Sequence, residues 1–363
     1  MGIKYMQEYR DPEIAGAIAE KIRRTSKRPV RLMEVCGTHT VSIFRNGIRG
    51  LLPRTITLLS GPGCPVCVTT QQEIDAFIRM AGMDDVIIAT FGDLMRVPGT
   101  LSSLQKERAE GRDIRMVYAA GDALKIAGDN PRRKVVFLGV GFETTAPTIA
   151  ATLLAAREMR IGNFFVFSAH KCVPPALFAL MQSPGVRIDG FILPGHVSVI
   201  IGTRGYLPFF QKYQTPCAVA GFEPVDILQA VYSLVRQIES GTPELANEYR
   251  RVVAADGNAR ARRIMQDVFE VRDAAWRGIG VIPASGLKLR EAFAGLDAEK
   301  VLAVEVPEST EPRGCRCGEV LTGRMTPPEC PLYRTVCTPM APVGPCMVSG
   351  EGTCAAYYRY QRI

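Results

Sequence analysis

The chain has 363 residues, of which 47% are hydrophobic and 22% charged, as expected for a soluble protein of two or three domains. Its formal net charge is +8 and its pI is near 9.0. The one dense basic group, at 250–251 and 260–263, lacks interleaved aromatic side chains, which argues against a nucleic-acid partner.

Residues 1–8 contain no apolar core of the kind found in signal peptides, so we expect a cytoplasmic protein. The most apolar stretch, 135–156, contains Gly139, Glu143 and Pro147 and predicts a strand, a loop and a helix rather than a membrane span. Eleven cysteines in a reducing compartment favour metal or redox chemistry over structural disulfides.

Short apolar runs alternate with helical patterns over the first 240 residues. Predicted strands cover 30–35, 55–59, 86–90, 114–118, 135–139, 164–167, 190–193 and 217–222, and predicted helices include 12–24, 71–78 and 225–238. This alternation predicts an α/β fold with parallel sheets covered on both faces, in two units at 30–125 and 130–240.

We place the domain boundaries at 1–125, 126–240 and 241–363. Residues 241–300 have a mostly helical, charged pattern that predicts a connector. From residue 314 the chain becomes rich in cysteine, proline and glycine, which predicts a small module that cannot fold unaided.

Polar residues follow the predicted strands in both units: Cys36, His39, Cys64, Cys67, Asp93, Glu143, His170 and His196. In open parallel sheets, ligands bind beyond the carboxyl ends of the strands. The placement therefore predicts two loop-rich sheet edges that face one cleft.

Cys64 and Cys67 stand where a strand ends and a helix begins, so backbone N–H groups should favour a thiolate there. A C-x-x-C pair can bind a metal or cycle as a disulfide. With Cys36 and His39 the set holds three thiols and one imidazole, which suit iron, zinc or copper(I). A structural zinc site usually has two paired motifs, so this set predicts an incomplete shell, open to a ligand, a partner or redox cycling.

Residues 141–147 lack the lysine of a P-loop and the glycine spacing of a dinucleotide fingerprint, which disfavours nucleotide binding. Glu143 is a candidate for orienting a ligand or partner, and a helix cap is the competing interpretation of the threonines that follow it. We interpret His170 and His196 as loop histidines rather than metal ligands.

Four tail cysteines, Cys330, Cys337, Cys346 and Cys354, are separated by six, eight and seven residues. Four thiolates without a nearby histidine suit an iron–sulfur cluster or zinc, and the lack of paired C-x-x-C arms favours [4Fe–4S]. Cys315 and Cys317 add two thiols that could replace a ligand or form a redox pair. A disulfide framework is the alternative, against which the expected compartment argues.

Taken in order, four segments resemble the HypD family of hydrogenase maturation factors: residues 36–39 (CGTH), 61–67 (GPGCPVC), 141–147 (GFETTAP) and the cysteine-rich tail. Residues 168–171 (SAHK) and 193–196 (LPGH) also match. The resemblance covers nearly the whole chain.

The resemblance implies two α/β domains around a cleft and a C-terminal [4Fe–4S] domain. It implies a scaffold for assembling the Fe(CN)₂CO group of [NiFe]-hydrogenase, together with a HypC-type small chaperone and a HypE-type cyanide donor, and indirectly with the hydrogenase large subunit. Carried over by motif, Cys36 binds the iron, Cys64 and Cys67 bind it or pass electrons, and His39 supports the site. The cluster is assigned to Cys330, Cys337, Cys346 and Cys354.

Two other functions remain open. A cluster-dependent thiol–disulfide reductase acting on proteins would also need the C-x-x-C pair, but not Cys36. A basic, cluster-bearing nucleic-acid binder would show affinity that falls steeply with salt. The scaffold interpretation makes the protein an assembly factor with redox activity rather than a conventional turnover enzyme, and predicts neither nucleic-acid nor membrane binding.

Overall fold

The computed structural model describes residues 7–306 and 308–361, so the start of the chain, where no leader is predicted, lies outside the described residues. The strands are β1 (Val30–Glu34), β2 (Ile56–Ser60), β3 (Val86–Thr90), β4 (Ile114–Met116), β5 (Lys134–Gly139), β6 (Phe164–Ser168), β7 (Gly190–Pro194), β8 (Cys217–Ala220), β9 (Leu245–Asn247), β10 (Phe269–Trp276) and β11 (Gly280–Leu289).

The helices are α1 (Pro12–Thr25), α2 (Gly37–Arg45), α3 (Ile48–Leu51), α4 (Pro65–Val68), α5 (Gln71–Ala81), α6 (Leu104–Ala109), α7 (Ala120–Asp129), α8 (Ala146–Glu158), α9 (Val173–Gln182), α10 (Gly195–Ile201), α11 (Leu207–Tyr213), α12 (Pro224–Ser240), α13 (Ala259–Val268), α14 (Ala298–Leu302), α15 (Cys317–Leu321), α16 (Pro345–Val348) and α17 (Thr353–Tyr360). Within the described ranges, no helix is long and apolar enough to span a membrane.

Strands β1 to β9 form two parallel sheets, which confirms the predicted α/β fold. Sheet A has the order β2-β1-β7-β8-β9 and sheet B the order β4-β3-β5-β6. The sequence predicts two consecutive units, at 30–125 and 130–240, each with its own sheet. This prediction is wrong, because each sheet contains strands from both of these ranges. The chain leaves sheet A after β2, builds all of sheet B, and returns at β7, where Leu32 is in register with Gly190.

Three apolar cores hold these layers together. One lies between the sheets and includes side chains from both, such as Met33 of β1 and Leu138 of β5. A second packs α7 and α8 on the outer face of sheet B. The third packs α1 and α12 on the outer face of sheet A. Burial on both faces explains why the strands are continuous apolar runs.

The prediction of a mostly helical connector at 241–300 is wrong, because β10 and β11 form an antiparallel hairpin there. Phe269, Ala274 and Trp276 of β10 are buried, whereas the charged residues between them are half-buried or exposed. The charged residues that led us to predict a helix lie on the side of the hairpin that faces solvent. Its tight turn contains Gly278 and Gly280, both at positive φ, a conformation that favours glycine.

Candidate functional site

Cys36 lies two residues after the end of β1 and is the N-cap residue of α2. Its thiol faces the backbone N–H groups of His39 and Thr38. Only 8% of Cys36 is exposed, and burial raises the pKa of its thiol to about 12. The thiol therefore keeps its proton at neutral pH, while the helix N-terminus offers donors to any thiolate that a bound cation creates.

Cys64 and Cys67 form a disulfide with Cα atoms 5.2 Å apart. Cys64 is the N-cap residue of α4, and its Sγ accepts a hydrogen bond from the Cys67 N–H at 3.3 Å. Both residues are buried. The structure thus places this pair between a strand end and a helix start, and it shows the oxidised form of one of the chemistries left open by the sequence.

Gly63 joins this turn to Cys36. Its carbonyl oxygen accepts a hydrogen bond from the Gly37 N–H at 2.9 Å. A Cβ atom on Gly63 would lie only 2.1 Å from the backbone nitrogen of Cys36. The two motifs therefore touch backbone to backbone, an approach that only glycine allows.

Glu34 closes β1 and is only 1% exposed. It accepts hydrogen bonds from the Cys36 N–H at 3.1 Å and from the Thr40 hydroxyl. Burial raises the pKa of its carboxyl group to about 8. The sequence analysis missed this residue, although a charged side chain at the end of an apolar strand, two residues before Cys36, was a signal for it.

His39 is fully buried, and its Nε2 donates a hydrogen bond to the carbonyl oxygen of Gly221 at 2.9 Å. Its Nδ1 has no partner among the described residues. Burial lowers the pKa of His39 to about 4, so the ring is neutral. Phe222 stacks on His39 at 4.8 Å and on the exposed His196 at 3.9 Å, so one phenyl ring aligns both histidines.

Sheet B contributes Glu143 and His170. The Glu143 carboxylate accepts a hydrogen bond from the Val173 N–H at 3.0 Å, at the start of α9. The Ser168 hydroxyl donates to the Leu287 carbonyl, so His170 Nδ1 donates to Ser168 at 3.0 Å and its Nε2 stays deprotonated. Burial lowers the pKa of His170 to about 3, which agrees with a neutral structural histidine.

Tyr206 is fully buried in the apolar core that includes side chains from both sheets, and its hydroxyl accepts a hydrogen bond from the Ser198 hydroxyl at 3.2 Å. Burial raises the pKa of the Tyr206 phenol well above its usual value. The prediction that the two strand-end edges face one cleft stays a prediction.

Glu143 predicts a pH-dependent contribution to stability. Burial raises the pKa of its carboxyl from 4.5 to about 7, so the folded state holds an extra proton in this interval. The contribution to the unfolding free energy therefore falls as pH rises from about 4.5 to 7, by roughly 3 kcal/mol. Denaturant unfolding of Glu143→Gln should show the variant gaining this amount relative to wild type across the interval, because glutamine cannot ionise.

Glu158→Gln, on the exposed end of α8, is the matched control and should follow the wild-type pH dependence closely. If the plots of unfolding free energy against pH are parallel for wild type and Glu143→Gln, the pKa of Glu143 is the same in the folded and unfolded chain, and the prediction is wrong.

The tail packs against the helix that starts at Cys36. Tyr357 of α17 contacts Phe44 of α2 with ring centroids 4.4 Å apart. The Thr38 hydroxyl donates to Glu351 at 2.7 Å, and a Cβ atom on Gly37 would lie 2.6 Å from the Cβ of Glu351. A carboxylate of the tail therefore bonds to Thr38, which lies two residues after Cys36 in the chain. The sequence analysis missed this contact.

All six tail cysteines converge. Cys315, Cys317, Cys330, Cys337 and Cys354 line one small cavity, and the thiol of Cys346 contacts those of Cys317 and Cys354. The sulfur atoms of Cys315 and Cys317 are 3.3 Å apart. The four thiols selected from the spacing thus lie beside the two additional ones.

Across residues 7–306 and 308–361, no three His, Cys, Asp or Glu side chains are arranged as a group that could hold a metal ion. The tail thiols contact each other, and the thiols of Cys64 and Cys67 are paired. Metal ligation by Cys36, Cys64 and Cys67, and by the tail cysteines, therefore stays a prediction.

The comparison with protein families gives the class. The HypD model, described as the hydrogenase formation hypA family, matches residues 13–361. The chain belongs to the HypD family of hydrogenase maturation factors, which confirms the resemblance seen in the motifs.

Particular relatives span the same length. The chain is 46% identical to the hydrogenase maturation factor HypD2 of Bradyrhizobium diazoefficiens, over 99% of this chain and 97% of the relative. It is 45% identical to HypD of Azotobacter vinelandii, with the same coverage. It is 44% identical to HypD of Escherichia coli, over 99% of both chains.

Proposed function

We propose that this hydrogenase maturation factor is the scaffold on which the Fe(CN)₂CO group of [NiFe]-hydrogenase is assembled. The observation that carries the proposal is the backbone contact between Cys36 and the turn of Cys64 and Cys67. It brings together the two segments that carry one free thiol and one oxidisable pair, and the neutral His39 lies in α2, the helix that follows Cys36.

Iron is the cargo in this proposal, and Cys36 is its first ligand. Thiolates hold low-spin iron(II) and leave positions free for cyanide and carbon monoxide. Reduction of the Cys64–Cys67 disulfide breaks the S–S bond, takes up two electrons and two protons, and gives two thiols that can also bind the iron. His39 supports the site through its Nδ1, which has no partner among the described residues.

A [4Fe–4S] cluster held by Cys330, Cys337, Cys346 and Cys354 is the proposed resident cofactor. The convergence of six thiols supports it, as does Gly344, where a Cβ atom would lie 2.5 Å from the sulfur of Cys315. Uptake requires the thiols to move apart from their present contacts. When bound, such a cluster supplies single electrons.

The proposed partners are a HypC-type small chaperone, a HypE-type cyanide donor and, indirectly, the hydrogenase large subunit. The proposed compartment is the cytoplasm, where thiols stay reduced between cycles. The proposal includes neither nucleic-acid nor membrane binding, and it makes the protein an assembly factor with redox activity.

The role of the thiol pair is tested by the double variant Cys64→Ala, Cys67→Ala in a strain that depends on this chain for [NiFe]-hydrogenase activity. We expect no active hydrogenase, with tail iron and sulfide content unchanged. Cys172→Ala, a partly buried cysteine outside both groups, should mature hydrogenase normally. Normal activity of the double variant would contradict an essential role for the pair.

The Cys64–Cys67 disulfide itself favours a second function, a cluster-dependent reductase of protein disulfides. Such an enzyme does not need a third thiol beside the pair. Turnover of a protein disulfide by Cys36→Ala at the wild-type rate would favour the reductase, whereas no turnover by either protein would remove it.

A further inference from the structure

Arg277 lies in the turn of the β10–β11 hairpin and is 3% exposed. Its backbone N–H donates to the Val68 carbonyl at 2.9 Å, and its Nε donates to the Thr69 carbonyl at 2.9 Å. Its Nη1 donates to Gln71 at 3.1 Å and to Glu311. The backbone and the guanidinium of Arg277 therefore hold Val68 and Thr69, which directly follow Cys67 at the end of α4.

The second terminal nitrogen of this guanidinium, Nη2, has no partner among the described residues although it is buried. Its one carboxylate partner, Glu311, has a side chain that is 57% exposed, so solvent screens that charge. A buried cation with unsatisfied N–H groups is costly, and such a group in a folded protein needs an explanation.

This turn also packs against the segment that carries Cys315 and Cys317, two of the thiols that line the tail cavity. Cys317 and burial raise the pKa of the Cys315 thiol, and the Arg277 guanidinium opposes them. Next to Arg277, a Cβ atom on Gly278 would lie 2.1 Å from the Cα of Gly318, which follows Cys317. The hairpin turn is therefore packed between α4, which carries Cys67, and the start of α15, which carries Cys317.

We infer that Arg277 is the buried counter-charge of the iron–sulfur cluster in the tail and sets the reduction potential of that cluster. The inference rests on the proposed cluster. A cluster bound by four thiolates is anionic, and each electron that it accepts adds negative charge. A buried positive charge therefore stabilises the reduced state more than the oxidised state and raises the potential.

The test compares Arg277→Gln and Arg277→Lys with wild type, all loaded with iron and sulfide without oxygen. Iron and sulfide content measures loading, and a redox titration followed by electron paramagnetic resonance measures the midpoint potential. We expect Arg277→Gln to disfavour reduction about tenfold, a shift of ~59 mV to more negative potential for one electron. Arg277→Lys keeps the charge and should stay near wild type.

Lys288→Gln is the matched control, because Lys288 is an exposed cation on β11 of the same hairpin. It should leave the potential unchanged. A fully loaded Arg277→Gln variant with the wild-type potential would overturn the inference.

If Arg277→Gln takes up no iron and sulfide, its reduction potential cannot be measured. The Arg277→Lys variant then tests whether the positive charge is what matters. Loading by Arg277→Lys supports the counter-charge, because lysine keeps the charge but lacks the fork that bonds Thr69 and Gln71. Failure of both variants overturns it and assigns Arg277 to fixing α4. A wild-type chain that takes up no cluster overturns both the proposed cofactor and this inference. A wild-type chain that takes up the cluster leaves the cofactor standing, so the variants then test Arg277 alone.

Discussion

Cys36→Ala should abolish hydrogenase maturation while leaving the fold intact. Cys36 is a free cysteine whose backbone contacts the turn of Cys64 and Cys67, and it lies at a helix N-terminus that favours a bound thiolate. Mutation of a residue that only supports a metal ligand typically lowers metal affinity or activity by about 10- to 100-fold. Loss of the ligand itself should therefore lower hydrogenase activity by more than about 100-fold. The measurement is hydrogenase activity, with iron content of the purified chain beside it.

Cys217→Ala controls for the loss of a buried thiol, because Cys217 lies in β8 at 0% exposure and has no proposed role. It should cost about 1 kcal/mol of stability and leave maturation intact. Activity of Cys36→Ala equal to that of Cys217→Ala would show that Cys36 does not hold the iron.

Gly63→Ala should separate the two cysteine motifs. The new Cβ atom would lie 2.1 Å from the nitrogen and 2.3 Å from the Cα of Cys36, and backbone cannot rotate away as a side chain can. We expect the unfolding free energy to fall by roughly 3 kcal/mol, together with loss of maturation. Chemical denaturation gives the first quantity and hydrogenase activity the second.

Gly16→Ala is the control substitution, since no atom lies within 4 Å of a Cβ at this exposed position of α1. It should stabilise the helix by about 0.5–1 kcal/mol and leave activity unchanged. A Gly63→Ala variant with wild-type stability and activity would mean that the close contact is not required.

The sequence was sufficient to locate β1 to β8, although several predicted strands, such as 114–118 and 217–222, extend beyond the observed ends. Val86–Thr90 is an almost wholly apolar run that follows two aspartates and precedes a turn containing Gly92, and it is β3 with the predicted bounds. The same local logic placed Cys64 between a strand end and a helix start and Cys36 at a strand end, because the change from an apolar run to glycine and cysteine is visible in the chain itself. The helix that begins after Cys36 was not predicted.

Relations between distant segments could not be predicted in this way. Every strand of sheets A and B has the same local pattern, so nothing local shows that β1 pairs with β7 across all of sheet B. Phe222 and Arg277 were missed for the same reason. Their importance lies in contacts with His39 and Thr69, which are far from them in sequence.

The most direct test of the scaffold function is an infrared spectrum of the chain, purified without oxygen after co-expression with a HypC-type chaperone and the other maturation partners. We predict sharp cyanide and carbonyl stretches in the window between the protein bands and the C–H region, and their loss in Cys36→Ala. A chain with an intact tail cluster and every partner supplied, but without these bands, would contradict the scaffold and favour the reductase.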